Sequence, residues 1–164
     1  METRPTFPGP SSGQLGTAAE ILVACQLMIA SGGRLSSYVP LVDADGIDVM
    51  IHDKVTHRAI GLQIKSWTFQ GAARPQTVQF DIRTSTWRDD PALYLLAVAI
   101  DGENARLESA WLLPSGDVHT VARQGRQKMS LAPNHRATSK DRYSAFRMHH
   151  MAEVAEALIA AFEA

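Results

Sequence analysis

The stretch that decides the fold runs Gly46-Ile47-Asp48-Val49-Met50-Ile51-His52. It resumes, past the polar segment Asp53 to Arg58, as Ala59-Ile60-Gly61-Leu62-Gln63-Ile64-Lys65-Ser66-Trp67. In the first half Ile47, Val49 and Ile51 alternate with Asp48, Met50 and His52; in the second, Ile60, Leu62 and Ile64 alternate with Gly61, Gln63 and Lys65. A period of two belongs to a strand, because successive side chains of an extended chain point to opposite faces. Paired as an antiparallel hairpin through Asp53 to Arg58, the strands set His52 opposite Ala59 and Asp48 opposite Gln63. One face then offers Ile47, Val49, Ile51, Ile60, Leu62 and Ile64 to a core. The other gathers Asp48, Gln63 and Lys65.

Working toward the N-terminus, Asp43-Ala44-Asp45-Gly46 has the chemistry of a turn, and Tyr38 to Val42 reads as a strand placed at a sheet edge by Pro40. Ser31-Gly32-Gly33 marks a left-handed helix end, and Gln14 to Ala30, preceded by Ser11 and Ser12 as capping oxygens, reads as a helix. Ala18, Ala19, Ile21, Leu22, Val23, Ala24 and Cys25 leave that helix almost no polar face, so it is expected to be buried nearly all round. Glu20 within it would cost several kcal/mol if left unpaired, on the order of the penalty for an isolated buried charge. Cys25, the single cysteine, excludes an internal disulfide; it is read as a buried, inert thiol and fits a cytoplasmic location. Residues 1–12, with Pro5, Pro8 and Pro10, read as a flexible tail.

Toward the C-terminus, Val78 to Ile82 could form a short strand and Thr84 to Asp90 a polar connection. Leu93 to Ile100 and Ala105 to Leu113 are two apolar runs of strand length expected to pair as a hairpin, and Met151 to Ala164 has the spacing of an amphipathic helix. With 164 residues the chain suits one core, expected over residues 13–164. Its 45% hydrophobic and 20% charged composition is neither polar enough for a disordered chain nor apolar enough for a membrane protein. Ile21 to Ala30, the longest apolar run, is short of the ~20 residues that span a bilayer, so no membrane partner is expected.

Net charge is only -1, so any grip on an anionic polymer must come from local clustering. From His119 to His150 seven basic residues, Arg123, Arg126, Lys128, Arg136, Lys140, Arg142 and Arg147, face one acid, Asp141. That sign suits phosphate contacts, and Arg83 and Arg88 extend the candidate DNA-binding set Arg123, Arg126 and Lys128. Trp67 and Trp87, with Arg74, could add stacking. The six histidines are scattered, without the cysteine or HExxH spacing of a zinc site.

An acid, an amide oxygen and an ammonium on one sheet face, with a helical carboxylate near, suit a hard divalent cation such as Mg²⁺ or Mn²⁺. Asp48, the Gln63 carbonyl and Glu20 would be its ligands. Lys65 would orient or deprotonate an attacking water and offset charge on phosphorus.

Gly46-Ile47-Asp48-Val49 followed by Gly61-Leu62-Gln63-Ile64-Lys65-Ser66, with Glu20 on a preceding helix, resembles the core motif of the PD-(D/E)XK nuclease superfamily. The likeness covers roughly Gly13 to Trp67 and is looser beyond. It is similar to Holliday-junction resolvases, type IV restriction endonucleases and those homing endonucleases that carry a Q-x-K variant. The resemblance implies an α/β fold, a restriction-endonuclease-like mixed sheet flanked by helices. It also implies Glu20, Asp48, Gln63 and Lys65 as the catalytic set, and a Mg²⁺-dependent DNA endonuclease that could work as a homodimer. Where the family usually has an acid, this chain has Gln63, which removes one negative ligand. The alternative is therefore an inactive nuclease-fold module that binds nucleic acid or a protein partner.

Overall fold

The computed structural model describes residues 8–42 and 45–164. In chain order the elements are α1 (Ser12–Ala30), β1 (Leu35–Tyr38), β2 (Val49–Asp53), β3 (Ala59–Phe69), β4 (Phe80–Arg83), β5 (Leu93–Asp101), β6 (Arg106–Pro114), α2 (Ser115–Val121), β7 (Arg123–Gln124), β8 (Lys128–Leu131), β9 (Arg147–Met148) and α3 (Met151–Glu163). Ser11 caps α1 reciprocally: its Oγ accepts from the Gln14 N–H at 3.2 Å, and the Gln14 Oε1 accepts from the Ser11 N–H at 2.8 Å. The helix stops where Gly32 and Gly33 take φ of 60° and 81°, conformations that cost a side-chain-bearing residue energy.

Six strands form a mixed sheet in the order β1-β2-β3-β5-β6-β9, with β3 and β5 parallel and every other pair antiparallel. The hairpin register is the one its alternation dictates, His52 opposite Ala59 and Val49 opposite Leu62. On one face Val49, Ile51, Ile60, Leu62, Ile64, Leu96 and Val98 pack against α1 and α3 through Leu27, Val154, Leu158 and Phe162. On the other face Leu95, Ala97, Trp111 and Leu113 pack against a small sheet of order β4-β8-β7, through Phe80, Ile82, Met129 and Leu131, and against Val118 of α2. The expected mixed α/β architecture is present, with helices α1 and α3 on one side and the small sheet with α2 on the other.

β5 is buried on both faces, which is why it reads as an unbroken apolar run. At the end of β2, Arg34 donates to both carboxylate oxygens of Asp53 at 2.8 and 3.1 Å and reaches Glu163 of α3 at 2.8 Å. Asp53, fully buried, also accepts from the Val55 and Thr56 N–H groups and the Thr56 hydroxyl. The Arg34 guanidinium, followed by these other donors, holds its carboxyl well below the usual carboxylate range.

Several expectations need correction. The first strand is Leu35–Tyr38, not Tyr38 to Val42: Leu35 is buried and pairs with Asp53, whereas Val39, Leu41 and Val42 are exposed around Pro40, which has no N–H to give a ladder. Ile47 packs on the small-sheet side rather than with Val49 and Ile51. The α1 helix is long and apolar enough to cross a membrane by length and composition. It packs instead along Ala19, Val23, Ala24 and Leu27, and its other side is exposed, with Ile21 at 52% and Ile29 at 80%. Cys25 lies on that exposed side and is not buried. Trp87 belongs to the second core, while Trp67 remains 36% exposed. Of the turn expected at Asp43 to Gly46, residues 43 and 44 lie outside the described residues.

Candidate active site

Asp48 sits just before β2, anchored at both ends: its N–H donates to the Leu62 carbonyl at 2.9 Å, and its Oδ2 accepts from the Ile64 N–H at 2.5 Å. The carboxylate is therefore fixed against the middle of β3. Gln63 lies between those two partners and Lys65 two residues further, on the face toward the small sheet. Ile60, Leu62 and Ile64 take the opposite face. Alternation along β3 puts Gln63 and Lys65 on one face, and the hydrogen bond from the Ile64 N–H holds the Asp48 carboxylate against the same stretch of strand.

Gly46 closes the site from the side. Its φ of +69° suits glycine, and a Cβ there would stand 3.1 Å from the Gln63 Nε2 and 3.4 Å from the Thr86 carbonyl oxygen. Beneath it Gln63 is 5% exposed, and its Oε1 has no hydrogen-bond partner among the described residues. A buried amide oxygen without a donor costs about 1–3 kcal/mol, so a structure that keeps one invites a ligand that supplies positive charge. Lys65 is half-buried.

Lys65 also acts electrostatically on Asp81 of β4, which the sequence reading did not single out. Lys128 donates to the Asp81 Oδ2 at 2.6 Å and Gln79 to its Oδ1 at 2.9 Å. Lys128, then Gln79, with a smaller contribution from Lys65, hold the Asp81 carboxyl below its ordinary range. Asp81 is the link between the hairpin site and the basic surface of the small sheet. No local pattern announces it, because its place depends on β4 pairing with β8, a strand far along the chain.

Glu20 is half-buried on α1, whose buried residues join the core on the other face of the sheet. Arg83, Arg123, Arg126 and Lys128 are all exposed on the small sheet and its hairpin. Arg88, half exposed, pairs with Asp90 at 3.4 Å. Arg74 is drawn off elsewhere, to Glu108 at 3.2 Å, Asp101 at 3.5 Å and the face of Phe69. Among the described residues no group of three His, Cys, Asp or Glu side chains is arranged to hold a metal ion. The donor set present is oxygen only, the Asp48 carboxylate and the Gln63 carbonyl. That suits a hard cation bound through one or two protein oxygens, keeping waters and completing its shell with phosphate.

No protein-family model matches the chain, and no curated protein matches it in sequence. Its architecture is nevertheless a known one. Among solved structures it is similar to a bacterial homing endonuclease, I-Ssp6803I, with a TM-score of 0.56 and 18% identity over 94% of each chain. At that identity the likeness is one of fold, and it extends over nearly the whole of both chains.

Proposed function

We propose that this chain is a metal-dependent DNA endonuclease of the PD-(D/E)XK kind, hydrolysing phosphodiester bonds. The observation that carries the reading is the orphaned Oε1 of Gln63, buried beside an anchored Asp48 and followed at two residues by Lys65. The fold shared with a bacterial homing endonuclease supports it. Asp48 and the Gln63 Oε1 would hold Mg²⁺ or Mn²⁺, whereas Glu20, on a helix that packs against the opposite face of the sheet, is not assigned to the ion. A bound ion would supply a water of lowered pKa and positive charge at the scissile phosphate.

The protein's own share is placement and charge. The Ile64 N–H fixes the Asp48 carboxylate, so no reorganisation is required when charge develops. The Lys65 ammonium donates to the attacking water or to a non-bridging phosphate oxygen. As the water oxygen bonds to phosphorus, the bond to the leaving sugar oxygen breaks; the water's proton passes to solvent, and the sugar oxygen takes a proton from solvent to leave as a hydroxyl. Arg83, Arg88 and Arg123 grip the flanking phosphates.

Supercoiled plasmid and branched DNA incubated with Mg²⁺ or Mn²⁺ give the test. The parent should cut, EDTA should stop it, and Asp48→Ala and Lys65→Ala should each lose at least a hundredfold, a general acid–base or electrostatic contribution of ordinary size (~10²–10³). Equal cutting by all three proteins would end the assignment. DNA bound in a salt-dependent way but never cut would establish the inactive binding module instead.

A further inference from the structure

Residues 123–128 read Arg-Gln-Gly-Arg-Gln-Lys, and every one of them is exposed. They form the end of the β7–β8 hairpin, with Gln124 paired to Met129 and Arg123 to Ser130. The tip is tight: a Cβ on Gly125 would fall 2.6 Å from the Lys128 carbonyl oxygen. We infer that this hairpin enters the major groove of duplex DNA and reads base edges, with Arg126 and Gln127 as the readers. The inference rests on the endonuclease reading above and specifies its substrate as double-stranded DNA of preferred sequence.

A two-stranded ribbon is of the size that a major groove about 12 Å wide admits. Residue chemistry carries the argument further than charge does. A surface that only holds phosphates needs cations, whereas this one interleaves cations with glutamines. Arg is suited to a bidentate contact with guanine O6 and N7, and Gln to adenine N6 and N7. The side chains divide the work. The Gln124 Nε2 turns back to the His119 and Ala122 carbonyls at 3.2 and 3.3 Å, and Lys128 is committed to Asp81 at 2.6 Å. Arg126 and Gln127 make no side-chain hydrogen bond or ion pair among the described residues, and both line a cleft with Arg83, Thr84 and Ser85 at the end of β4.

The Lys128–Asp81 pair fixes the hairpin to β4, and Asp81 lies within electrostatic reach of Lys65. The hairpin and Lys65 therefore lie on the same side of the sheet. The deep, narrow major groove of A-form RNA is closed to such a ribbon, so an RNA duplex is a poor substitute.

The test is selection from a random duplex library by the full chain in Ca²⁺, comparing the parent with Arg126→Lys and Gln127→Ala. Both substitutions preserve net charge and lie at exposed positions, and thermal melts confirm folding. The parent should enrich a motif. Each variant should lose preference at one position, with affinity for the selected site falling on the order of tenfold, the size of a lost bidentate base contact. Affinity for unselected duplex and its salt dependence should not change. A parent that binds no duplex or enriches no motif, variants that keep every preference, or an RNA duplex that competes as well as DNA would each overturn the inference. Plasmid cleavage by the parent and Asp48→Ala judges the endonuclease reading separately.

Discussion

Replacing Gln63 by methionine should make the protein more stable and less active. Gln63 is 5% exposed, and its Oε1 is buried with no donor among the described residues. An unsatisfied buried carbonyl costs about 1–3 kcal/mol, and an unbranched side chain of similar length fills the same space without that oxygen. Taking the lower end of that range, Gln63→Met should gain about 1 kcal/mol. For a chain of this size that raises Tm by about 2–4 °C. Urea unfolding and thermal melts read the stability, and plasmid cleavage in Mg²⁺ reads the function. We expect higher Tm with cleavage lost. A variant destabilised by a similar amount would mean that the Oε1 is satisfied in solution, and one cutting at the parental rate would mean that it is no ligand.

Gly46→Ala should destabilise by about 1–2 kcal/mol, the cost of a side chain in left-handed backbone, and should depress cleavage as well, because the new Cβ meets the Gln63 amide at 3.1 Å. In urea titrations a midpoint equal to the parent's would refute this. Asp53 is expected to tie stability to acid. Its folded pKa is depressed by Arg34, so its contribution is present above the unfolded value near ~4 and is lost as pH falls below it. Asp53→Asn should therefore melt lower at pH 7 yet lose less Tm between pH 5 and pH 2.5 than the parent; parallel curves would contradict it. Cys25 is exposed and should react with a thiol reagent in the folded protein about as fast as in urea, where strong native-state protection would restore the buried reading.

The hairpin was legible because each of its strands has one apolar and one polar face, and a period of two then fixes pairing and register; Ile47, just before the strand begins, leaves that pattern. β5 gave its length but no face, since both its sides are buried. The apolar composition of α1 says how oily the helix is and not what covers it, which is why Ile21, Cys25 and Ile29 were misplaced. β7 and β9 are two-residue strands set by distant partners, and two residues carry no period. Trp67 and Trp87 look alike in sequence, yet one joins the core and the other does not, a difference decided by how β4 and β8 close over the sheet. The unpaired state of the Gln63 oxygen is likewise a fact of packing; the sequence could only show an amide where a carboxylate is usual.

The central claim, that Asp48 and Gln63 hold the ion for phosphodiester hydrolysis, is tested most directly by a crystal of the chain with duplex DNA and Mn²⁺. The anomalous map should show an ion about 2.0–2.3 Å from an Asp48 carboxylate oxygen and from the Gln63 Oε1, touching a phosphate oxygen. A bound duplex with no ion there, or with the ion held by other residues, would contradict it.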